Sequence, residues 1–497
     1  MAKVLLLNPN KWGRGITVIW VASHAAALRA HGHEVRLFDA TFYADWAENE
    51  VSYNTANQQY QPTDYDLCIT FKQAPIREDL QRVIDEFDPD IVFWSALSSH
   101  IHGEGEYVSI QFGHDLMTEI QCRAVRIAGG LQVTANPAQT LQRFPGLTYA
   151  MGGETELLIR DFADRIDRGE AVHDLKGLVL RNESGKITFN PHQDLIHDLD
   201  ELPPYDYSLF EDQVFFRPYN GEVVRAVDYE LSRGCIYTCS YCVETVIQHY
   251  YDFDEATSRG TLIGAQNYLR HKSADRVMEE ITTLHRDYGV TLFRCQDTNF
   301  LTIDRTMLNR LADLFDQADL PVQLYIETRP EGVNAASVQL LKRLRVDGVG
   351  MGIELATQGF RENNLNRFSD QDKIVRAFEL LKDAKIRRTT YNVIGFPEQD
   401  EQSILDTIMF NNKLQPDNVT VAFYSPFIGT GQHLKATEDA YFADYDYDID
   451  PQLRTLSLHN GVNRELLQFY KNAFARLARE GLGELERLKR EKGLAGG

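Results

Sequence analysis

VVRAVDYELSRGCIYTCSYCVE, residues Val223–Glu244, joins a strand-like apolar run to three cysteines spaced CxxxCxxC. The run VVRAVDYEL has the β-branched content of a strand, and the polar turn after it carries Cys235, Cys239 and Cys242 on one short loop. Thiolate sulfur is the soft ligand that iron-sulfur clusters require, so three cysteines suit three irons of a cubane and leave a fourth iron without a protein ligand. A structural zinc site and an electron-transfer cluster are the competing readings, but zinc wants four ligands and a ferredoxin-type cluster four cysteines. No fourth cysteine is near: Cys295 lies well downstream, at the end of the next strand-like run. The open iron reads as deliberate, because a catalytic metal keeps a free position.

Working outward, VTLFRC, VQLYIE, GVGMGIE, RRTTYNVIG and NVTVAFYS continue the strands, and amphipathic helical patterns such as SADRVMEEITTLHRDYG and DQDKIVRAFELLKDA separate them. Six strands with five intervening helices predict a partial or complete βα barrel over residues 223–430, with its chemistry at the carboxyl ends of the strands. Upstream, residues 1–165 alternate short apolar strands with helices, the pattern of a parallel sheet covered on both faces. KVLLLNP, EVRLFDA, DIVFWSA, AVRIAGG and LTYAMGG are its strands, and DYDLCITF is a possible further one. Several of these run into Gly or Ser at the carboxyl end, where an open α/β sheet binds ligands, so a cofactor-binding domain is expected. Residues 166–222 read as a linker holding a small strand pair, and 431–497 as an acidic aromatic loop, a charged helix and a Gly-rich tail.

The formal charge is -22, from 73 acidic against 51 basic residues. Such a field repels phosphate backbones and acidic membrane surfaces, so no nucleic acid partner is expected. No apolar run is long enough to span a bilayer and the chain starts directly in a strand, so a soluble cytoplasmic protein is expected. Of the six cysteines, Cys68 and Cys122 read as buried small hydrophobes. His24, His31 and His33 read as surface or packing residues. The long connection after Cys242, with Tyr250, Tyr251, Phe253 and Tyr268, is either a substrate lid or a packed excursion.

CxxxCxxC after the first barrel strand, with Tyr241 just before the last cysteine, resembles the radical S-adenosylmethionine superfamily. The resemblance implies a four-iron four-sulfur cluster whose open iron is chelated by S-adenosylmethionine, which is then split to a 5'-deoxyadenosyl radical. CQDTNF resembles the family element that meets the methionine amino group, which points to Asp297 and Asn299. By the same resemblance Glu354 of GMGIE meets the ribose. YNVIGFPE resembles GxIxGxxE at Val393, Gly395 and Glu398, with Tyr391 standing at the first glycine position, a departure at the adenine contact. Arg329 in IETRPE is either a carboxylate partner or one half of a salt bridge.

The order GGLQVTANP, LTYAMGGETELL, DLDELPPYDYSLF is similar to the cobalamin-binding form of this superfamily, with a Rossmann-like domain ahead of the barrel. Carried over by position, Ser95, Ser98, Ser99, Gly129, Gly130, Gly152, Gly153 and Glu154 line the nucleotide tail of cobalamin. The DxHxxG element is absent, so cobalamin is expected to bind without a lower histidine ligand. The resemblance implies a small-molecule substrate, an external electron donor of flavodoxin or ferredoxin type, and modification of an unactivated carbon, foremost by methyl transfer. Radical ring formation or oxidation of the anaerobic cyclase kind, with the same cofactors, is the second reading; radical chemistry without functional cobalamin is a separate alternative, and a corrinoid or cluster carrier is the reading from another class.

Overall fold

A computed structural model describes residues 1–95, 106–182, 184–424, 427–438 and 462–494. Sixteen strands are described: β1 Lys3–Asn8, β2 Glu34–Asp39, β3 Ile91–Trp94, β4 Val125–Ala128, β5 Tyr149–Met151, β6 Leu178–Arg181, β7 Ile187–Phe189, β8 Phe216–Tyr219, β9 Glu222–Tyr229, β10 Ser232–Arg233, β11 Arg270–His271, β12 Leu292–Cys295, β13 Gln323–Thr328, β14 Val346–Glu354, β15 Arg387–Ile394 and β16 Asn418–Phe423. They form two seven-stranded sheets and one two-stranded ribbon.

The N-terminal sheet runs β2-β1-β3-β4-β5-β6-β7, parallel as far as β5. Its strands alternate apolar side chains between two covered faces. Val4, Leu6 and Phe93 pack with the helix Ile19–Ala30 on one side, while Leu5, Leu7, Val92 and Trp94 pack with the helix Ile76–Phe87 on the other. The strand pair expected inside the linker joins this sheet: β6 pairs antiparallel with β5, and β7 with β6. The free edge of β5 offers unpaired amide and carbonyl groups, which a local hairpin satisfies. DYDLCITF is not a strand. Its Tyr65–Cys68 segment is one helical turn that buries Tyr65, whose hydroxyl accepts from Gly15 N at 3.0 Å, and leaves Cys68 exposed, against the expectation of a buried thiol.

The second sheet runs β16-β15-β14-β13-β12-β9-β8; β9 and β12 to β16 are parallel, and β8 returns antiparallel on β9. It is the partial six-stranded βα barrel, open between β16 and β8. Helices with designed starts cover its outer face: Ser273, Asp304, Asp370 and Asp400 each cap a helix by accepting a backbone N–H of its first turn. Side chains from elsewhere close the lateral gap. Gln59 accepts from Val421 N at 2.9 Å, Lys471 of the helix Arg464–Glu480 donates to Val421 O, and Asn418 donates to Asn220 at 3.1 Å. Among the described residues no helix is long and apolar enough to cross a membrane.

Candidate functional site

The loop that follows β9 is anchored before it reaches its first cysteine. β10 pairs with β11, and Gly234 takes φ +95°, a conformation other residues avoid; a Cβ there would lie 2.8 Å from Tyr268 O. Gln248 then donates to Cys235 O and Tyr237 O at 2.9 and 3.1 Å, and Ser240 N donates to Leu365 O at 3.0 Å. Held this way, Cys235, Cys239 and Cys242 line one cavity of about 460 Å³. Burial, and secondarily the nearby Glu244 and Cys239, push the Cys235 thiol up to about 12, and burial, then Cys239, raises the Cys242 thiol well above its ordinary value. A metal that binds such thiols takes them as thiolates and releases their protons. Among the described residues no three His, Cys, Asp or Glu side chains are grouped to hold a single ion; a cubane takes one thiolate on each of three irons.

Arg329, at the end of β13, lies 3.7 Å from Cys239 Sγ and stacks over Tyr237 at 3.7 Å from the ring centroid. Its Nη2 also pairs with Glu331 at 3.0 Å and donates to Phe368 O at 3.0 Å, so Arg329 is one half of a buried salt bridge. Tyr241 donates to Glu354 Oε1 at 2.9 Å, with Arg367 3.7 Å from the same carboxylate. Glu354 sits at φ +60°, rare for a side chain of this size, at the end of β14. Asn299 accepts from Thr328 Oγ1 at 2.7 Å and Arg329 N at 3.3 Å. Tyr241, Asn299, Arg329 and Glu354 all line the cavity beside the cysteines.

Three other residues singled out on these strands stand outside the lining. Asp297 accepts from Leu231 N at 3.0 Å and from Ser232 N at 2.6 Å, tying β12 to the root of the cluster loop, and burial raises its pKa to about 7. Gly395, at φ +86°, donates to Gln399 at 2.7 Å. Glu398 is exposed, held by Asn364 at 2.8 Å and Lys435 at 3.1 Å. Tyr391, in the glycine's place, points into the barrel: it donates to Glu327 at 3.0 Å and meets Tyr325 Oη at 2.8 Å. β14 makes room for it, since a Cβ on Gly350 would lie 2.6 Å from the Tyr391 ring.

In the N-terminal sheet, three strand ends converge. Gly129 N donates to Ser95 O at 2.7 Å, Gly130 takes φ +94°, and Gly153 N donates to Thr134 at 3.0 Å. Gln132, 2% exposed, has a buried Nε2 with no acceptor. Ser98 and Ser99 lie outside the described residues. Gly152 and Gly153 face the barrel: a Cβ on either would meet Tyr250, at 2.8 and 2.7 Å. The long connection after Cys242 is thus a packed one, with Tyr250 and Tyr251 seated on this glycine pair, Tyr251 accepting from Glu154 N at 2.8 Å and Tyr268 donating to Glu244 at 2.6 Å. The Glu154 carboxylate turns the same way and pairs with Arg270 through two contacts of 2.9 Å. His24 is a packing residue, stacked on Phe93 with centroids 5.3 Å apart and bonded to Thr155 at 2.8 Å. Arg367, Tyr237, Tyr325, Glu327, Arg14, Arg217 and Arg294 line the cavity and are not revealed by local motifs; alternation of Tyr325, Glu327 and of Gly348, Gly350, Gly352 on neighbouring strands is the one available signal.

The Radical SAM superfamily model matches residues 229–410. The chain is 25% identical over 352 residues, 71% of its length and 70% of the relative's, to an uncharacterized methyltransferase of Pyrococcus horikoshii. It is 22% identical over 437 residues, 86% of this chain and 68% of the relative, to the anaerobic magnesium-protoporphyrin IX monomethyl ester cyclase of Rubrivivax gelatinosus. Its fold is similar to that of the radical S-adenosylmethionine methyltransferase TsrM from Kitasatospora setae, solved with cobalamin and an iron-sulfur cluster bound, at TM-score 0.63 and 18% identity, covering 90% of this chain and 76% of that one. A three-cysteine loop follows the first strand of a partial barrel, and a parallel sheet precedes that barrel: residues 229–410 match the Radical SAM superfamily, and the chain as a whole shares its fold with a methyltransferase solved with cobalamin and an iron-sulfur cluster bound.

Proposed function

We propose that the protein is a cobalamin-dependent radical enzyme that transfers a methyl group to an unactivated carbon of a small molecule. The carrying observation is that the cysteine loop and the loop after β1, with Trp12 and Arg14, open onto the same cavity, so both domains serve one chamber. When bound, the cluster and S-adenosylmethionine supply the radical that activates the carbon, and cobalamin supplies the methyl group. Cys235, Cys239 and Cys242 would hold the cluster, with the Arg329 guanidinium beside Cys239. Tyr241 and Arg367 fix Glu354 as an acceptor for a sugar hydroxyl, while Asn299 and Arg329 serve the amino-acid end of S-adenosylmethionine. Asp297, Gly395 and Glu398 act one step back, by setting the strand ends. Ser95, Gly129, Gly130 and the unmatched Gln132 amide would hold the cobalamin tail, with Gly152 and Gly153 closing its barrel side.

Electrons come from an external flavodoxin or ferredoxin, and the reducing cytoplasm, where thiols stay free, is the compartment assigned. The cyclase relative, matched over 86% of the chain, supports ring formation or oxidation as the second reading. Methyl-labelled S-adenosylmethionine separates the two. Methyl transfer requires S-adenosylhomocysteine and 5'-deoxyadenosine in equal amounts with label in the product; deoxyadenosine alone with an unlabelled product selects the cyclase kind of reaction.

A further inference from the structure

Three guanidinium groups line the cavity on the β8 side of the barrel. Arg14 comes from the loop after β1, Arg217 from β8 and Arg294 from β12, and all three line the cavity that carries the cysteines. Arg217 is the central one. It is 2% exposed, and its guanidinium reaches back along the β8–β9 hairpin to Asp228, one residue before the strand ends at the cluster face.

Both neighbouring carboxylates are already engaged. Asp228 accepts from Arg217 Nη2, from Thr17 N and Oγ1 at 3.1 and 3.2 Å, and from Gln296 at 2.7 Å, with Arg294 3.6 Å away. Glu50 is taken by Arg14, and by Asn54 and Tyr60 at 3.0 Å each. Arg217 Nε and Nη1 are left as buried donors with no acceptor. Burial lowers the pKa of Arg217, and the fields of Arg14 and Arg294 lower it further, while Asp228 opposes them. A cation kept charged at such cost, in a cavity wall and with two donors unmatched, is arranged for an anion that arrives from outside.

We infer that Arg217, flanked by Arg14 and Arg294, is the specificity subsite for an oxyanion group of the substrate, a carboxylate or a phosphate ester, held at the junction of the two domains. The inference rests on reading this cavity as the reaction chamber. An anchored anion would set which carbon of the substrate lies towards the cluster, because the subsite and the cysteine loop line one cavity.

The test uses cofactor-loaded enzyme under argon at constant ionic strength. Inorganic phosphate and acetate are titrated in parallel, with chloride as the control, and crystals of the loaded enzyme are soaked in selenate. Saturable binding of phosphate or acetate is expected, with the stronger of the two identifying the ester or the carboxylate, and an anomalous selenium peak within hydrogen-bonding distance of Arg217 Nε or Nη1. Arg217→Gln should weaken the titrated anion by about tenfold or more, the loss of a charge-assisted hydrogen bond. No saturable binding overturns the subsite, as do selenium peaks only elsewhere, or Arg217 nitrogens already satisfied by ordered water or by a cofactor's own phosphate. The wild-type soak decides the matter even if the variant fails to fold. Substrate-free formation of 5'-deoxyadenosine by the wild-type enzyme reports on the radical reading alone, so failure of either claim is seen separately.

Discussion

In the N-terminal sheet, Lys3–Asn8 and Ile91–Trp94 send apolar side chains to both faces, each covered by helices, whereas in the barrel Gln323–Thr328 and Val346–Glu354 turn one face to a cavity and carry Tyr325, Glu327, Gly350 and Glu354 there. A doubly covered sheet has nowhere to place polar chemistry except at its strand ends. A partial barrel can place it along the whole inner face. The two halves meet through strand ends on one side, Gly152 to Glu154, and through the cluster loop and its return strand on the other, Arg233 and Arg270.

The hardest break of this comparison is at the loop itself. Replacing Cys235, Cys239 and Cys242 together with Ala should take the reconstituted protein from about four irons per chain to none and abolish 5'-deoxyadenosine formation, read by iron analysis and chromatography. Cys295→Ala, on the inner strand but 1% exposed and off the cavity lining, should keep both. The joint between the halves comes next. Glu154→Ala leaves Arg270 buried without its paired carboxylate and should cost about 3–5 kcal/mol in urea unfolding of the apoprotein.

A smaller effect probes the covered sheet. Burial, partly opposed by Glu156, lowers the pKa of His24 from 6.5 to about 4. Between these values the unfolded chain binds a proton that the folded one refuses, so stability present above pH 6.5 is lost as pH falls towards 4. From pH 7 to pH 5 the wild type should lose about 2 kcal/mol that His24→Gln does not; equal pH slopes for the two proteins would refute a buried neutral histidine. The smallest effect probes the barrel face. Gly350→Ala sets a methyl group against Tyr391 and should cost about 1 kcal/mol of thermal stability, the low end of overpacking, because a tyrosine ring can give way.

The cluster loop was legible because its chemistry is written in contiguous residues: three thiols and a turn need no tertiary partner to be recognised. The alternation of strands and helices was legible for the same local reason. Glu154 was not, since its position on a glycine-flanked strand end fits a nucleotide tail and only the fold sets Arg270 against it. Nor was Arg217, whose FRPY strand carries no signature; Asp228, reached across the hairpin, and Arg14, brought from the other domain, are what give it a role. DYDLCITF looked like a strand by content, but the burial of Tyr65 against Gly15 decided it as a turn.

The cap on β16 has a consequence for synthesis. Val421 finds one of its partners, Gln59, long before it on the chain, and the other, Lys471, fifty residues after it. Until the ribosome has released that later segment, the barrel's last strand presents a half-satisfied margin that another nascent chain can extend by strand addition. Chaperone occupancy of the growing polypeptide should therefore persist past the end of the barrel and fall only once the helix carrying Lys471 has emerged.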